Sequence, residues 1–231
     1  MAISVNEVYQ TVLAIANKEN RGYITPQEFN LFANQAQIDI FNEYLYDLDA
    51  SKRPNFSYNG SYSSKSNLTQ DKLMPFKHKE SVTSGFNYNA QYYNRVISVE
   101  NDLGNFAQEV DFFDVAKILN KPLLKPTRNR PIWYQDYSGV YMEPSVDETG
   151  ADITYTIGLL FKPTPPSFGY VVVNDKPLYN FFTSNDFMLI ETEKPKLVNK
   201  ILQYAGVLLK DNTLIQAATA EEVKTIQSEK Q

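Results

Sequence analysis

The hydrophobic pattern of this chain changes period twice. It is helical at the start, strand-like through the middle and helical again near the end. Val5, Val8, Tyr9, Val12, Leu13 and Ala16 recur at helical spacing, and Ser4 with Glu7 has the spacing of a capping box. Asn20-Arg21-Gly22 interrupts that helix, with Gly22 free to take positive φ. Thr25-Pro26-Gln27-Glu28 starts a second one: Thr25 is the cap, Pro26 takes the first helical position, and Glu28 closes another box. Phe29, Phe32, Ala33, Ala36, Ile40, Tyr44 and Leu48 then line one side, with Ile38, Phe41 and Leu45 beside them. A face that wide needs more than one neighbour.

Residues 51–67, SKRPNFSYNGSYSSKSN, hold almost no aliphatic residue and read as a long loop, functional or flexible. From 68 to 175 the pattern is β, with short runs punctuated by Pro, Gly, Asn and Asp. The predicted strands are Leu73–Lys79, Arg95–Glu100, Phe106–Phe113, Ile132–Tyr137, Val140–Glu143, Ile153–Phe161 and Tyr170–Val173. Asp136-Tyr137-Ser138-Gly139 suggests a tight hairpin, and Asp114–Leu119 a short helix. Lys162-Pro163-Thr164-Pro165-Pro166 closes the β region, because Pro cannot continue a ladder.

Pro195 fits the first turn of a third long helix, with Leu197, Val198, Ile201, Leu202, Ala205, Leu208 and Leu209 on its apolar face and an end near Asp211-Asn212. From Asn212 onward Leu214, Ile215, Ala218, Val223 and Ile226 are the sizeable apolar groups of a thin stripe. A helix there is marginal alone, so it folds back on its own chain or docks into a partner. Together these elements predict an α+β protein. Residues 1–50 and 185–231 form a helical bundle, from the N-terminal helix hairpin and the C-terminal helices. Residues 51–184 form a large, antiparallel β-rich insertion, a single sheet or a small sandwich.

The chain has 231 residues, 42% hydrophobic and 21% charged, which suits a folded core. No apolar run approaches the length of a membrane span, and MAISVNEVYQ does not read as a signal peptide. Without cysteine there are no disulfides or thiolate zinc sites. A net charge of −5 argues against a broad DNA-gripping surface, though not against a wall that DNA slides past. Sixteen Tyr and fourteen Phe fit either a Tyr-rich sheet or wet interfaces.

The search for reactive groups returns little. His78 is the one histidine, so neither a metal cluster nor a Ser/His/Asp triad has the residues it needs. No phosphate-binding glycine loop and no GxSxG elbow occurs. Glu109 with Asp111, Asp147 with Glu148 and Glu221 with Glu222 are the acid pairs a hydrolase would have to use. The densest positive patch is Lys121–Arg130, KPLLKPTRNR, read as a solvated loop rather than a nucleic-acid contact. The expectation is therefore a non-enzyme without cofactor or metal: a structural or adaptor protein, or alternatively a carbohydrate-binding or adhesion module built on exposed Tyr.

RGYITPQEFNLFANQAQIDIFNEYL, FKPTPPSFGYVVV and NDFMLIETEKPKLVNKILQYAGVLLKD, followed by a Gln/Glu/Lys-rich segment, carry a resemblance. In that order they resemble the neck proteins of tailed bacteriophages. The chain is most similar to ring proteins of podovirus-type and crAss-like phages, in the layout of the tail tubular A or head–tail adaptor group. The GYxTPxEFN helix start is the most specific piece, and residues from about Ser51 to Gly150 match poorly. The resemblance implies a homo-oligomeric ring, commonly of twelve copies, below the portal of a virion. It would be assembled in the host cytoplasm, with genomic DNA passing through unread and no membrane contact. The next ring or a tail protein would meet the β insertion. Leu214, Ile215, Ala218, Val223 and Ile226 would dock onto the portal or an adjacent ring.

Overall fold

A computed structural model of the chain describes residues 2–18, 24–51, 68–83, 92–174 and 176–208. The class is α+β. Two compact units divide the chain: Met1–Pro75 with Pro163–Gln231, and Phe76–Lys162. The second unit is thus an insertion, narrower at both ends than the 51–184 expected from sequence.

Among its described residues the first unit packs three long helices: α1 (Val5–Lys18), α2 (Pro26–Ser51) and α4 (Lys194–Leu208). At about 1.5 Å per residue, α2 is roughly 39 Å long. Its box closes as its sequence predicts: Glu28 N–H donates to Thr25 Oγ1 at 3.3 Å, and Thr25 N–H donates back to Glu28 Oε2 at 2.9 Å. Thr25 N–H foremost, and then Thr25 Oγ1 donating to the same Oε2 at 2.7 Å, hold the Glu28 carboxyl below its ordinary pKa. A depressed folded pKa means that this stabilisation is present above about pH 4.5 and lost as pH falls through the folded value. Thr25→Ala is expected to cost about 1 kcal/mol in urea unfolding at neutral pH, with a smaller difference from wild type below pH 4.

The Ser4–Glu7 box does not form. Strand β1 (Ala2–Ile3) instead pairs antiparallel with β10 (Phe187–Ile190), and this brings Asp186 to the head of α1, where its Oδ1 accepts from Val5 N–H at 2.9 Å. Glu7 turns to Lys194 Nζ at 2.5 Å. The break predicted at Asn20–Gly22 lies outside the described residues, as does most of the 51–67 loop. Phe29, Ala33, Ala36, Ile40, Phe41 and Tyr44 of α2 are buried, with Val5, Val8, Tyr9 and Val12 of α1 and Leu197, Ile201 and Ala205 of α4.

Segment 163–184 belongs to this unit because its polar backbone is held by α2. Asn30 Oδ1 accepts from Phe168 N–H at 2.7 Å while its Nδ2 donates to Phe168 O at 3.3 Å. Seven residues on, two turns down the same face, Gln37 Nε2 donates to Thr164 O at 2.8 Å and its Oε1 accepts from Met188 N–H at 2.9 Å. Phe168 then inserts its ring against Tyr9, with centroids 4.3 Å apart.

Among its described residues the second unit holds two three-stranded sheets. One has the order β2 (Lys77–Val82), β7 (Tyr155–Phe161), β3 (Tyr93–Asn101), all antiparallel. The other has β4 (Gln108–Glu109), β5 (Ile132–Gln135), β6 (Val140–Glu143). Val96, Val99, Ile157 and Leu159 from the first sheet cluster with Trp133, Val140 and Met142 from the second, which makes a small sandwich. Gly158 is central: a Cβ there would fall 2.8 Å from Ser98 Oγ, where β3 shifts register.

Two departures from the expected strands have local causes. Leu73–Lys79 is not a strand: Met74–Phe76 is a 3-10 turn and the ladder begins at Lys77, because Pro75 supplies no donor. Phe106–Phe113 keeps only the two residues of β4, and its last two begin helix α3 (Phe112–Leu119), capped by Asp111 Oδ1 accepting from Phe113 N–H at 3.0 Å. The insertion is also not wholly antiparallel. β4 pairs parallel with β5, and parallel neighbours require a long crossover, which residues 110–131 supply.

Candidate interaction surfaces

The five sequence-predicted docking residues, Leu214, Ile215, Ala218, Val223 and Ile226, lie outside the described residues. His78 sits on β2 with its ring edge-on to Phe161 at 5.3 Å. Among the described residues no group of three or more His, Asp or Glu is placed to hold a metal ion, and no helix is long and apolar enough to cross a membrane. The described surface has a different feature: large apolar side chains left in water in two groups.

The first group is a two-stranded hairpin, β8 (Tyr170–Val173) and β9 (Lys176–Tyr179), with the 3-10 turn Phe181–Thr183 after it. Val171, Val172, Val173, Leu178, Phe181 and Phe182 are all exposed, Phe182 at 93%. Asn180 N–H donates to Gly169 O at 2.8 Å, which sets the phase of the ladder. In that phase Val171–Leu178 and Val173–Lys176 exchange bonds, while Tyr170, Val172, Pro177 and Tyr179 turn their backbone outward. Pro177 has no N–H, so the outer edge of β9 is blocked there. The edge of β8 carries neither Pro nor charge, whereas the edge strand β2 carries Lys77, Lys79 and Glu80. An isolated two-stranded hairpin is marginal in water. This one is tethered by Gly169, where a Cβ would fall 2.6 Å from the Thr183 carbonyl carbon.

The second group is the β4–β5 crossover. α3 buries Val115 and leaves Phe112, Phe113 (82% exposed) and Leu119 in solvent, and Leu123 (93%) and Leu124 follow. Five cations share this stretch. Lys117 pairs with Asp114 at 2.6 Å, and Arg128 grips Asp102 and reaches Asp147 at 3.9 Å. Lys121, Lys125 and Arg130 are exposed and face no carboxylate within 4 Å among the described residues. The basic run was legible in sequence; its junction with exposed Phe was not, because Phe106–Phe113 reads as a strand with one face buried.

At the far end of β5–β6, Asp136 Oδ1 accepts from Ser138 N–H (2.7 Å), Ser138 Oγ (2.7 Å) and Gly139 N–H (2.9 Å), and these bonds hold its carboxyl below the ordinary value, the Ser138 hydroxyl foremost. They fix a hairpin tip that presents Tyr137 fully to solvent. Behind it Tyr134 and Tyr141 stack with centroids 5.4 Å apart. Inside the sandwich Tyr155 donates to Pro144 O at 2.7 Å, and burial first, then Glu143, pushes its phenol up to about 12. A raised folded pKa means that this stabilisation is complete below about pH 10 and lost as pH climbs toward 12. A fall in stability over that interval is expected in wild type and should be smaller in Tyr155→Phe, measured by urea midpoints read on the fluorescence of Trp133, the single tryptophan.

No protein-family model matches the chain, and no curated protein matches it.

Proposed function

We propose that the chain is a structural subunit of the head-to-tail connector of a tailed-phage virion. Copies of it form a ring below the portal that extends the DNA channel and seats the tail. The observation that carries this reading is the double grouping of exposed apolar side chains, 171–182 in one unit and 112–124 in the other. Monomeric soluble proteins keep such groups small, and contiguous ones mark surfaces that other chains cover. The resemblance of both chain ends to neck proteins supports the same reading. Docking on the portal or an adjacent ring is assigned to Leu214, Ile215, Ala218, Val223 and Ile226. Truncation after Asp211 tests that assignment. The shortened chain should keep the far-UV spectrum and urea midpoint of the full chain and fail to co-sediment with portal rings. A truncated chain that no longer folds would make the segment part of its own core.

The Tyr134–Tyr141 stack with Tyr137 at a rigid tip favours a second reading, a carbohydrate-binding or adhesion module of the virion, since sugars stack on such platforms. Glycan-array binding lost in Tyr137→Ala, by a protein that stays monomeric, would select it.

A further inference from the structure

The β4–β5 crossover is charged against the rest of the chain. The sequence holds 22 Lys and Arg and 27 Asp and Glu. The crossover, residues 110–131, contains five of those bases and two of those acids, Asp111 and Asp114, so 17 bases face 25 acids elsewhere. Two of the five are engaged locally, Lys117 with Asp114 and Arg128 with Asp102 and Asp147. The other three, Lys121, Lys125 and Arg130, are exposed on the same crossover as the exposed Phe113, Leu123 and Leu124. The partner that fits this lobe is acidic and also offers apolar cover.

We infer that the lobe is one half of a head-to-tail contact between copies of this chain, its occupant being an acidic face of the next copy. Charge decides among the alternatives. A lobe-on-lobe contact would set the same cations against each other, so the symmetric arrangement is repelled. The chain outside the crossover is acidic as a whole, 17 bases against 25 acids, so the next copy offers net carboxylate to the lobe. Duplex DNA would satisfy the lysines but would leave Phe113 and Leu123 wet, since its outer surface is phosphate and sugar. A contact between unlike patches can repeat in one direction and close on rotation, which an isologous contact cannot do beyond two copies. The inference deepens the ring reading and rests on it only for closure.

Sedimentation velocity of the full chain across a salt series, with Lys121→Glu/Lys125→Glu and Phe113→Ser/Leu123→Ser as variants, tests it. All four positions are exposed, so both variants should keep the wild-type far-UV spectrum. Wild type should self-associate at about 50 mM salt and weaken at least tenfold by about 500 mM, as the screening length shrinks to a few ångströms. Each variant should associate at least tenfold more weakly at low salt. The charge-reversed variant keeps its acidic face, so added at low ratio it should cap wild-type assemblies and shorten them. A symmetric contact would instead bind the reversed lobe more tightly, and that result would overturn the inference. So would rings that form equally well in both variants, a wild type that stays monomeric at every salt, or a lobe whose only measurable binding is to a duplex oligonucleotide. Salt-sensitive open chains abolished by the reversal would sustain the inference while removing the closed ring.

Discussion

Glu193→Ala is expected to destabilise the helical unit by about 3–5 kcal/mol, the usual cost of removing one partner from a buried ion pair. Glu193 is 4% exposed and meets Lys72 Nζ at 2.9 Å. Lys72 stands over one side of the arrangement around Tyr44, 5.7 Å from the ring centroid, and Lys196, which pairs with Glu43 at 2.9 Å, lies 5.8 Å from the same ring. Four elements meet here: α2, the helical turn 68–72, the 3-10 turn Glu191–Glu193 and α4. Taking away the carboxylate leaves a largely buried ammonium that keeps its burial and loses this counter-charge. Removing both members should cost far less, because the desolvation of each ion disappears with it. The double change Lys72→Met/Glu193→Leu is therefore expected within about 1 kcal/mol of wild type. Urea unfolding followed at 222 nm measures both. Equal losses in the single and double variants would show that the pair contributes through shape rather than charge.

Gln37→Met is expected to cost about 2–3 kcal/mol although it changes volume little, since each of two partly buried backbone groups loses its partner. Gln37 is fully buried, and its amide is the one group that bonds both the proline-rich return at Thr164 and the β10 backbone at Met188. Gln37→Glu should do no better: it keeps an acceptor for Met188 N–H but turns a carboxylate toward the Thr164 carbonyl. Gln37→Ala adds a cavity to the same loss and should be the worst of the three. Hydrogen exchange at Met188 is the local readout, and its amide should lose protection in Gln37→Met. A Gln37→Met protein as stable as wild type would mean that water replaces the amide without penalty.

What the sequence made legible is what short-range chemistry decides. Thr25 and Glu28 are three residues apart, and their box forms. Val140–Glu143 and Tyr170–Val173 were predicted to the residue, because each run is bounded by its own turn or proline signals. The α2 face was legible from its period, apart from Gln37, which reads as a polar gap and is instead a core residue bonded to partners 127 and 151 positions away. Long-range pairing hid the rest. Asp186 caps α1 across 181 positions, and nothing near Ser4 marks that. The two-residue strand β1 has no periodicity to detect. The insertion's limits were misplaced because 163–184 is β-like in composition yet belongs to the helical unit through Asn30, Gln37 and Phe168. Of the surfaces, the basic run and the aromatic excess were visible separately. The exposed Phe112 and Phe113 precede that run, on α3, a helix capped by Asp111 where alternation suggested a strand.

Electron microscopy of the purified 231-residue chain at low salt, with particle mass measured on the same sample, bears most directly on the connector reading. Closed annular particles with one rotational symmetry, an open centre wide enough for duplex DNA and a mass that is a fixed multiple of one chain are expected. Particles no larger than a single copy, at concentrations where neck rings would be complete, would contradict it.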